Sequence, residues 1–158
     1  MAHPNEELIG RFYAAFQTRD GDAMAACYHD DATFSDPVFV GLDARGVRGM
    51  WRMLCSQAKD LKVVPSGISA DDRQGRAHWE AWYTFSRTGR AVHNVIDATF
   101  TFKDGLIATH ADQFDFWRWS RMALGLPGVL LGWTPLIQNK VRATGRAGLD
   151  AFLGGESR

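Results

Sequence analysis

Residues 92–119 read VHNVIDATFTFKDGLIATHADQFDFWRW and predict the central hairpin of the fold. Phe100, Phe102 and Ile107 supply the aromatic and β-branched side chains that favour a half-buried strand. Asp104-Gly105 stands between the two apolar runs, and glycine accepts a positive φ at little steric cost. The sequence therefore predicts two long antiparallel strands joined by a tight turn at residues 103–105.

Successive side chains of a strand point to opposite faces of a sheet. One face of the first strand therefore carries a set of mixed polarity: His93, Val95, Asp97, Thr99 and Thr101. His110, Asp112 and Phe114 share a face of the returning strand in the same way. Carboxylates and imidazoles among apolar residues are typical of a ligand pocket. We therefore expect this surface of the hairpin to line one.

Composition limits the classes of partner. With 158 residues, of which 46% are hydrophobic and 23% charged, the chain fits one globular domain. The chain has 18 Lys plus Arg and 18 Asp plus Glu residues, so it lacks the excess of basic residues that is typical of a nucleic-acid-binding protein. The two cysteines, Cys27 and Cys55, lack metal-ligand spacing, and no apolar run is long enough to span a bilayer. We expect a cytoplasmic protein with no membrane or nucleic-acid partner.

The remaining sequence predicts helices around this hairpin. Helical spacing and capping residues indicate helices at residues 5–19, 23–28, 43–58 and 134–153, with one or two turns at 118–124. Strands are predicted at residues 33–35, 62–70 and 75–87. This order predicts an α+β fold in which helices cover one face of a curved antiparallel sheet.

Two motifs carry a family resemblance, HDDATFSDPVFVG at residues 29–41 and VIDATFTFKDGLI at residues 95–107. Together with the order of elements, they resemble the nuclear transport factor 2-like superfamily, which includes ketosteroid isomerases, limonene epoxide hydrolases and SnoaL-like cyclases. The resemblance covers residues 5–117 of a single domain, 1–158, and leaves residues 118–158 as a helical extension. It implies a cone-shaped fold around a deep pocket, a small-molecule ligand and a homodimer.

The resemblance to ketosteroid isomerase also implies site residues. Asp36, in the Asp-Pro turn after the first strand, matches the general base, and Asp97 matches the acid that donates a hydrogen bond to the oxyanion. Phe12 aligns with the oxyanion tyrosine, and the neighbouring Tyr13 is one helical position, about 100°, away. We therefore keep two further interpretations open, a non-catalytic binding domain and an epoxide hydrolase. The epoxide hydrolase would need an arginine in the pocket, but none lies on the pocket-facing side of the central strands, since Arg76 and Arg87 lie at strand ends.

The remaining lining of the predicted pocket combines helix and strand residues: Phe12, Tyr13, Met53, Leu54, His93, Val95, Thr99, His110, Asp112 and Phe114. His93, His110 and Asp112 have ligand chemistry, but a strand pair alone does not set tetrahedral geometry. We therefore expect neither a metal nor a cofactor. Residues 134–153 are most simply a packed amphipathic helix, with a lid over the pocket as the alternative.

Overall fold

The structure is a computed structural model that describes residues 2–156. Its helices are α1 (Pro4–Gln17), α2 (Gly21–Ala25), α3 (Ala44–Gln57), α4 (Phe116–Leu124), α5 (Leu126–Leu131) and α6 (Pro135–Glu156). Its strands are β1 (Tyr28–Ser35), β2 (Lys62–Ala70), β3 (Gln74–Phe85), β4 (Arg90–Lys103) and β5 (Leu106–Gln113). The predicted α+β class is confirmed. None of the helices within residues 2–156 combines the length and apolar character that crossing a bilayer requires.

The predicted central hairpin is confirmed as β4 and β5. Its turn places Asp104 at φ 54° and Gly105 at φ 77°. Two successive residues with positive φ match the right-handed twist of the flanking strands, which explains why Asp-Gly stands here. The pairing runs from Asp97 opposite Gln113 to Lys103 opposite Leu106, with an irregularity between Thr101 and Phe102.

The five strands form one sheet in the order β1-β5-β4-β3-β2. β1 pairs with β5 in parallel, which the prediction of an antiparallel sheet did not anticipate. β1 is also longer than predicted, because it begins at Tyr28, a residue that the sequence placed in the second helix. This pairing brings the ends of β1 and β5 together, with Ser35 opposite Ala111.

The N-terminal helices cover the inner face of the sheet. α1 packs on β2 and β3, and α3 packs on β1 and α2. Asp43 begins α3 as predicted, and its Oδ1 accepts the backbone N–H of Gly46 at 2.8 Å. The buried core between these helices and the sheet is rich in aromatic side chains: Phe12, Tyr13, Phe16, Tyr28, Phe34, Trp51, Trp79 and Phe100.

The prediction of which β4 face lines the interior is wrong. The buried side chains of β4 are Val92, Asn94, Ile96, Ala98 and Phe100, so the set at positions 93, 95, 97, 99 and 101 lies on the outer face. The physical reason is the polarity of the two sets, because Ile96, Ala98 and Phe100 are uniformly apolar. Apolar-in and polar-out alternation is the ordinary pattern of a sheet with one solvated face.

The C-terminal helices close one end of this structure. A second apolar cluster joins α4 to the ends of β3 and β4 through Val92, Phe116, Trp119 and Ala123. α6 packs against α3, where Leu149 and Leu153 face Gly49. α6 is therefore a packed helix, as the simpler prediction had it. We call the edge where β1 and β5 finish and β4 begins the Asp36 end of the sheet.

Candidate functional site

Asp36 directly follows β1, where the chain turns away from the sheet. Its Oδ1 accepts the backbone N–H groups of Val38 at 2.7 Å and Phe39 at 2.6 Å. Pro37 cannot donate to a strand ladder, which ends pairing at this point. Within residues 2–156 no donor contacts the second carboxyl oxygen. The turn therefore fixes the orientation of the carboxyl group and leaves one oxygen for a ligand.

The acidity of Asp36 is strongly altered by its surroundings. Burial raises its pKa from 3.8 to about 7, and the charge of Asp112 contributes to that increase. The backbone N–H groups of Phe39 and Val38 and the charge of Arg142 act in the opposite direction. A carboxyl group with this pKa exchanges a proton near neutral pH, which suits a general base.

Tyr83 on β3 is a second ionisable group at the Asp36 end. Burial raises its pKa, and the charge of Asp36 adds to the increase. Its hydroxyl oxygen accepts the indole N–H of Trp119 at 2.8 Å. The phenolic proton is therefore retained and remains available for donation to a neighbouring acceptor.

A chain of four hydrogen-bonded side chains runs through the core. The Trp51 indole N–H donates to the Tyr28 hydroxyl at 2.8 Å, and that hydroxyl lies 2.7 Å from Nδ1 of His110. Nε2 of His110 lies 2.8 Å from Oδ1 of Asp112. The indole N–H at one end only donates and a carboxylate at the other end only accepts, which fits a single direction in which Tyr28 donates to His110 and His110 donates to Asp112. This chain directs its donors toward Asp112, which also receives the Trp79 indole N–H at 3.5 Å.

Both candidate α1 residues point into this core. Phe12 and Tyr13 are buried, and the Phe12 ring contacts the ring of His110 edge-on, with the ring centroids 5.7 Å apart. Burial raises the pKa of Tyr13, and the nearby charge of Asp112 raises it further. The Tyr13 hydroxyl is a buried polar atom without a hydrogen-bond partner in the described part of the chain. Although Phe12, and not Tyr13, aligns with the oxyanion tyrosine of the isomerases, the Tyr13 side chain also lies in the interior.

Arg142 brings a positive charge from α6 to the Asp36 end. Its Nε donates to the backbone oxygen of Pro37 at 2.8 Å, and its charge lowers the pKa of Asp36. One turn along α6, Gly145 faces Val38 and Phe39 at a distance that leaves little room for a side chain. The close approach at this glycine positions the guanidinium of Arg142 beside the Asp36 turn.

Asp97 does not share the interior with Asp36, so its predicted position is wrong. It lies on the outer face with 79% of its side chain exposed, and its Oδ1 lies 2.9 Å from Nδ1 of His78. A carboxyl group on the solvated face of the sheet cannot donate a hydrogen bond to a ligand in the interior.

Three predicted lining residues share the outer face with Asp97. The His93 ring lies 2.8 Å from Glu80 and stacks on Trp82, and Val95 pairs across from Glu80. Thr99 instead lines an open cleft of about 750 Å³ beside the β2–β3 turn. These corrections follow from the reversed inner face of β4.

The other predicted residues do meet on the inner side. Phe12, Tyr13, Met53, His110 and Asp112 are buried, and Leu54 and Phe114 pack against the same core. These side chains fill much of the predicted deep pocket, and Asp36 and Tyr83 lie at one end of this filled core.

Sequence reasoning missed several of these contributors: Tyr28, Trp51, Trp79, Tyr83 and Arg142. The alternation along β3 could have identified Tyr83, because it lies on the same strand face as the buried residues Ala77, Trp79 and Ala81. Arg142 had none, because its approach to Asp36 depends on how α6 packs.

The chain is similar to known proteins in sequence and in fold. A family model described as a SnoaL-like domain matches residues 9–110. Among curated proteins, none matches the sequence. An epoxide hydrolase of Mycobacterium tuberculosis, described as LEH-like, has a similar structure, with a TM-score of 0.63, 20% identity and coverage of 85% of this chain and 95% of that one.

Two further solved structures share the fold. TsrD from Streptomyces laurentii has a TM-score of 0.66 and 21% identity, covering 78% of this chain and 96% of its own. TerC, co-crystallised with polyporic acid, has a TM-score of 0.60 and 21% identity, covering 72% of this chain and 92% of its own. At these identities the likeness concerns the fold alone.

Proposed function

Because the chain belongs to the SnoaL-like domain family, we propose that it is a small-molecule enzyme that transfers a proton at a carbon next to a carbonyl. Asp36 is the base in this proposal, and no cofactor takes part. The observation that carries the proposal is the pKa of Asp36, raised to about 7, in a carboxyl group with one uncommitted oxygen. An ordinary aspartate is too weak a base for this step, and burial corrects that weakness.

The acid partner of the reaction is Tyr83 in this proposal, in place of Asp97. Removing a proton next to a carbonyl places negative charge on the carbonyl oxygen, which a positioned donor stabilises. Tyr83 keeps its proton because its pKa is raised, and Trp119 orients its oxygen. Asp112 belongs to the buried chain through His110 and raises the pKa of Asp36 by its charge.

A second candidate function is epoxide hydrolysis, favoured by the position of Arg142. An epoxide hydrolase of this fold needs two carboxylates and an arginine around a water molecule. Asp36, Asp112 and Arg142 supply this set, since the charges of Asp112 and Arg142 both act on Asp36. The M. tuberculosis protein described as an LEH-like epoxide hydrolase has this fold.

Deuterium exchange distinguishes the two reactions even when the natural substrate is unidentified. Candidate ketones and epoxides are incubated with the protein in heavy water and followed by NMR. Proton transfer by Asp36 replaces the hydrogen next to the carbonyl with deuterium, and epoxide hydrolysis forms a diol instead. We expect exchange into a ketone, with a rate that increases from pH 6 to pH 8 as Asp36 ionises (its pKa is about 7).

Asp36→Asn removes the base and keeps the oxygen that accepts the Val38 and Phe39 N–H groups. We expect its exchange rate to fall by at least about 100-fold, the usual contribution of a general base. Asp43→Asn is the matched control, because asparagine still caps α3 there. Equal exchange by wild type and Asp36→Asn refutes the proposed base. A tightly bound compound that is recovered unchanged and without deuterium supports the binding-domain alternative.

A homodimer and a cytoplasmic location stay part of the proposal. The outer face of the sheet carries the stacked rings of Trp82 and His93, 4.4 Å apart, and such a face suits a second copy of the chain. Sedimentation equilibrium of the purified protein tests the dimer, and a monomeric mass at micromolar concentration contradicts it.

A further inference from the structure

The C-terminal helices carry an exposed apolar surface that the proposed chemistry does not use. We call it the α5 surface, and it consists of Trp117, Leu126, Val129, Leu130, Leu131, Trp133 and Leu136. Leu126 and Leu136 are each 68% exposed, and Trp133 is 63% exposed. Single exposed apolar residues are ordinary, but a contiguous group of large ones marks an interaction surface.

The charge of the same segment is one-sided. Residues 116–149 contain five cationic residues and no acidic residue, although the whole chain has a net charge of zero. The cations are Arg118, Arg121, Lys140, Arg142 and Arg146. Arg146 pairs with Asp150 and Arg142 lies beside the Asp36 turn, so Arg118 and Arg121 are the cations that favour a negatively charged partner next to the α5 surface.

An arginine cleft lies directly beside the α5 surface. It has a volume of about 650 Å³ and is lined by Arg90, Arg118 and Arg121 together with Gly89, Ala91 and Met122. Within residues 2–156 none of these arginines forms an ion pair with a carboxylate. Backbone oxygens hold two of them, since Arg90 donates to Met122 at 2.8 Å and Arg118 donates to His93 at 2.7 Å.

Direct contacts join the cleft to the apolar residues. The Arg121 guanidinium lies 4.5 Å from the centre of the Trp117 ring, and the Trp117 indole donates to the backbone oxygen of Val129. A side chain at Gly125 would meet the Arg90 guanidinium at 3.1 Å, so this arginine lies against the start of α5. The arginine cleft therefore adjoins the α5 surface through Trp117 and the start of α5.

We propose that this face docks on the surface of an anionic lipid bilayer, with lipid phosphates in the arginine cleft and the α5 surface in the interfacial layer. Tryptophan and leucine beside arginine are the composition of segments that lie in a membrane interface. A second copy of the same face is a poor partner, because the described residues that form it include no carboxylate to pair with its arginines. The bilayer supplies phosphate and apolar chains next to each other.

Vesicle binding by the full chain tests this proposal, which is independent of the proposed catalysis. Vesicles of phosphatidylcholine are compared with vesicles that also contain phosphatidylglycerol. We expect sedimentation with the anionic vesicles, weakened by added salt. Arg121→Gln should weaken binding by about fivefold, from the usual contribution of one cation near an anionic surface. Leu130→Ser should weaken it by about tenfold or more through lost apolar burial.

Two substitutions far from this face serve as controls. Arg73→Gln removes an exposed cation at the β2–β3 turn, and Val64→Ser removes an exposed apolar residue from β2. Both should bind vesicles as the wild type does. Circular dichroism shows whether each variant is folded.

Several outcomes overturn the proposal. They are no vesicle binding by the wild type, equal binding to neutral and anionic vesicles, equal losses in the Arg73 and Arg121 variants, or equally tight binding of soluble glycerol phosphate. The mass of the protein in the absence of lipid adds a further criterion. A dimer that dissociates on Leu130→Ser assigns the α5 surface to a second copy instead.

Discussion

Asp36→Asn is expected to stabilise the protein at alkaline pH and to have little effect at acid pH. In the folded protein burial raises the pKa of Asp36 from 3.8 to about 7. Ionisation is therefore easier in the unfolded chain. Below pH 4 the carboxyl group is neutral in both states and does not destabilise the fold. As the pH increases from 4 through 7, the unfolded chain ionises more readily, and the folded protein loses stability. Asparagine stays neutral and keeps the oxygen that accepts the two backbone N–H groups.

The magnitude follows from the size of the shift. A change from 3.8 to about 7 corresponds to about 4 kcal/mol at about 1.4 kcal/mol per pH unit. Because Asp36 keeps some contact with solvent, we expect the advantage of Asp36→Asn over wild type to increase by about 2–4 kcal/mol between pH 4 and pH 8. That is a large part of the total stability of an ordinary domain.

Urea unfolding at a series of pH values from 2 to 9 measures this advantage and also covers the acid range in which Asp60 titrates. The difference between the two free energies of unfolding removes the contributions of all other titrating groups. Asp60→Asn is a control in which the stability should depend on pH in the opposite direction, because hydrogen bonds from Thr84 lower the pKa of the exposed Asp60. The stability that Asp60 contributes is present at neutral pH and is lost as the pH falls through its folded pKa. An advantage of Asp36→Asn that does not change with pH refutes the reasoning.

Two further predictions concern packing. Gly128→Ala should lower the free energy of unfolding by about 1–3 kcal/mol in urea, because its Cβ would overlap the backbone oxygen of Ser120. Gly148→Ala, with open space around it, should be neutral or stabilising, and an equal loss there contradicts the steric argument. Tyr28→Phe removes the donor to Nδ1 of buried His110 and should cost about 1–3 kcal/mol by the same assay, whereas an unchanged midpoint shows that the bond is dispensable.

The local elements of the fold could be predicted from the sequence. Asp104-Gly105 specified the hairpin turn, since a positive φ at both positions is a property of the two residues themselves. Asp43 specified the start of α3 for a similarly local reason. Its side chain accepts the backbone N–H of Gly46, three residues further along, and so caps the helix. The Asp-Pro pair at positions 36 and 37 correctly marked the end of a strand, since β1 ends at Ser35.

Only the tertiary structure established which side chains face each other. The apolar side chains of Ile96, Ala98 and Phe100 indicated the inner face of β4 in the sequence, but they did not show which distant residues this face would meet. Tyr83 and Arg142 reach the surroundings of Asp36 from β3 and α6, which are far apart in the chain. Turn and capping preferences act between residues a few positions apart and are therefore present in the sequence. The neighbours of a carboxyl group depend on contacts between distant segments, and those contacts form only when the helices pack on the sheet.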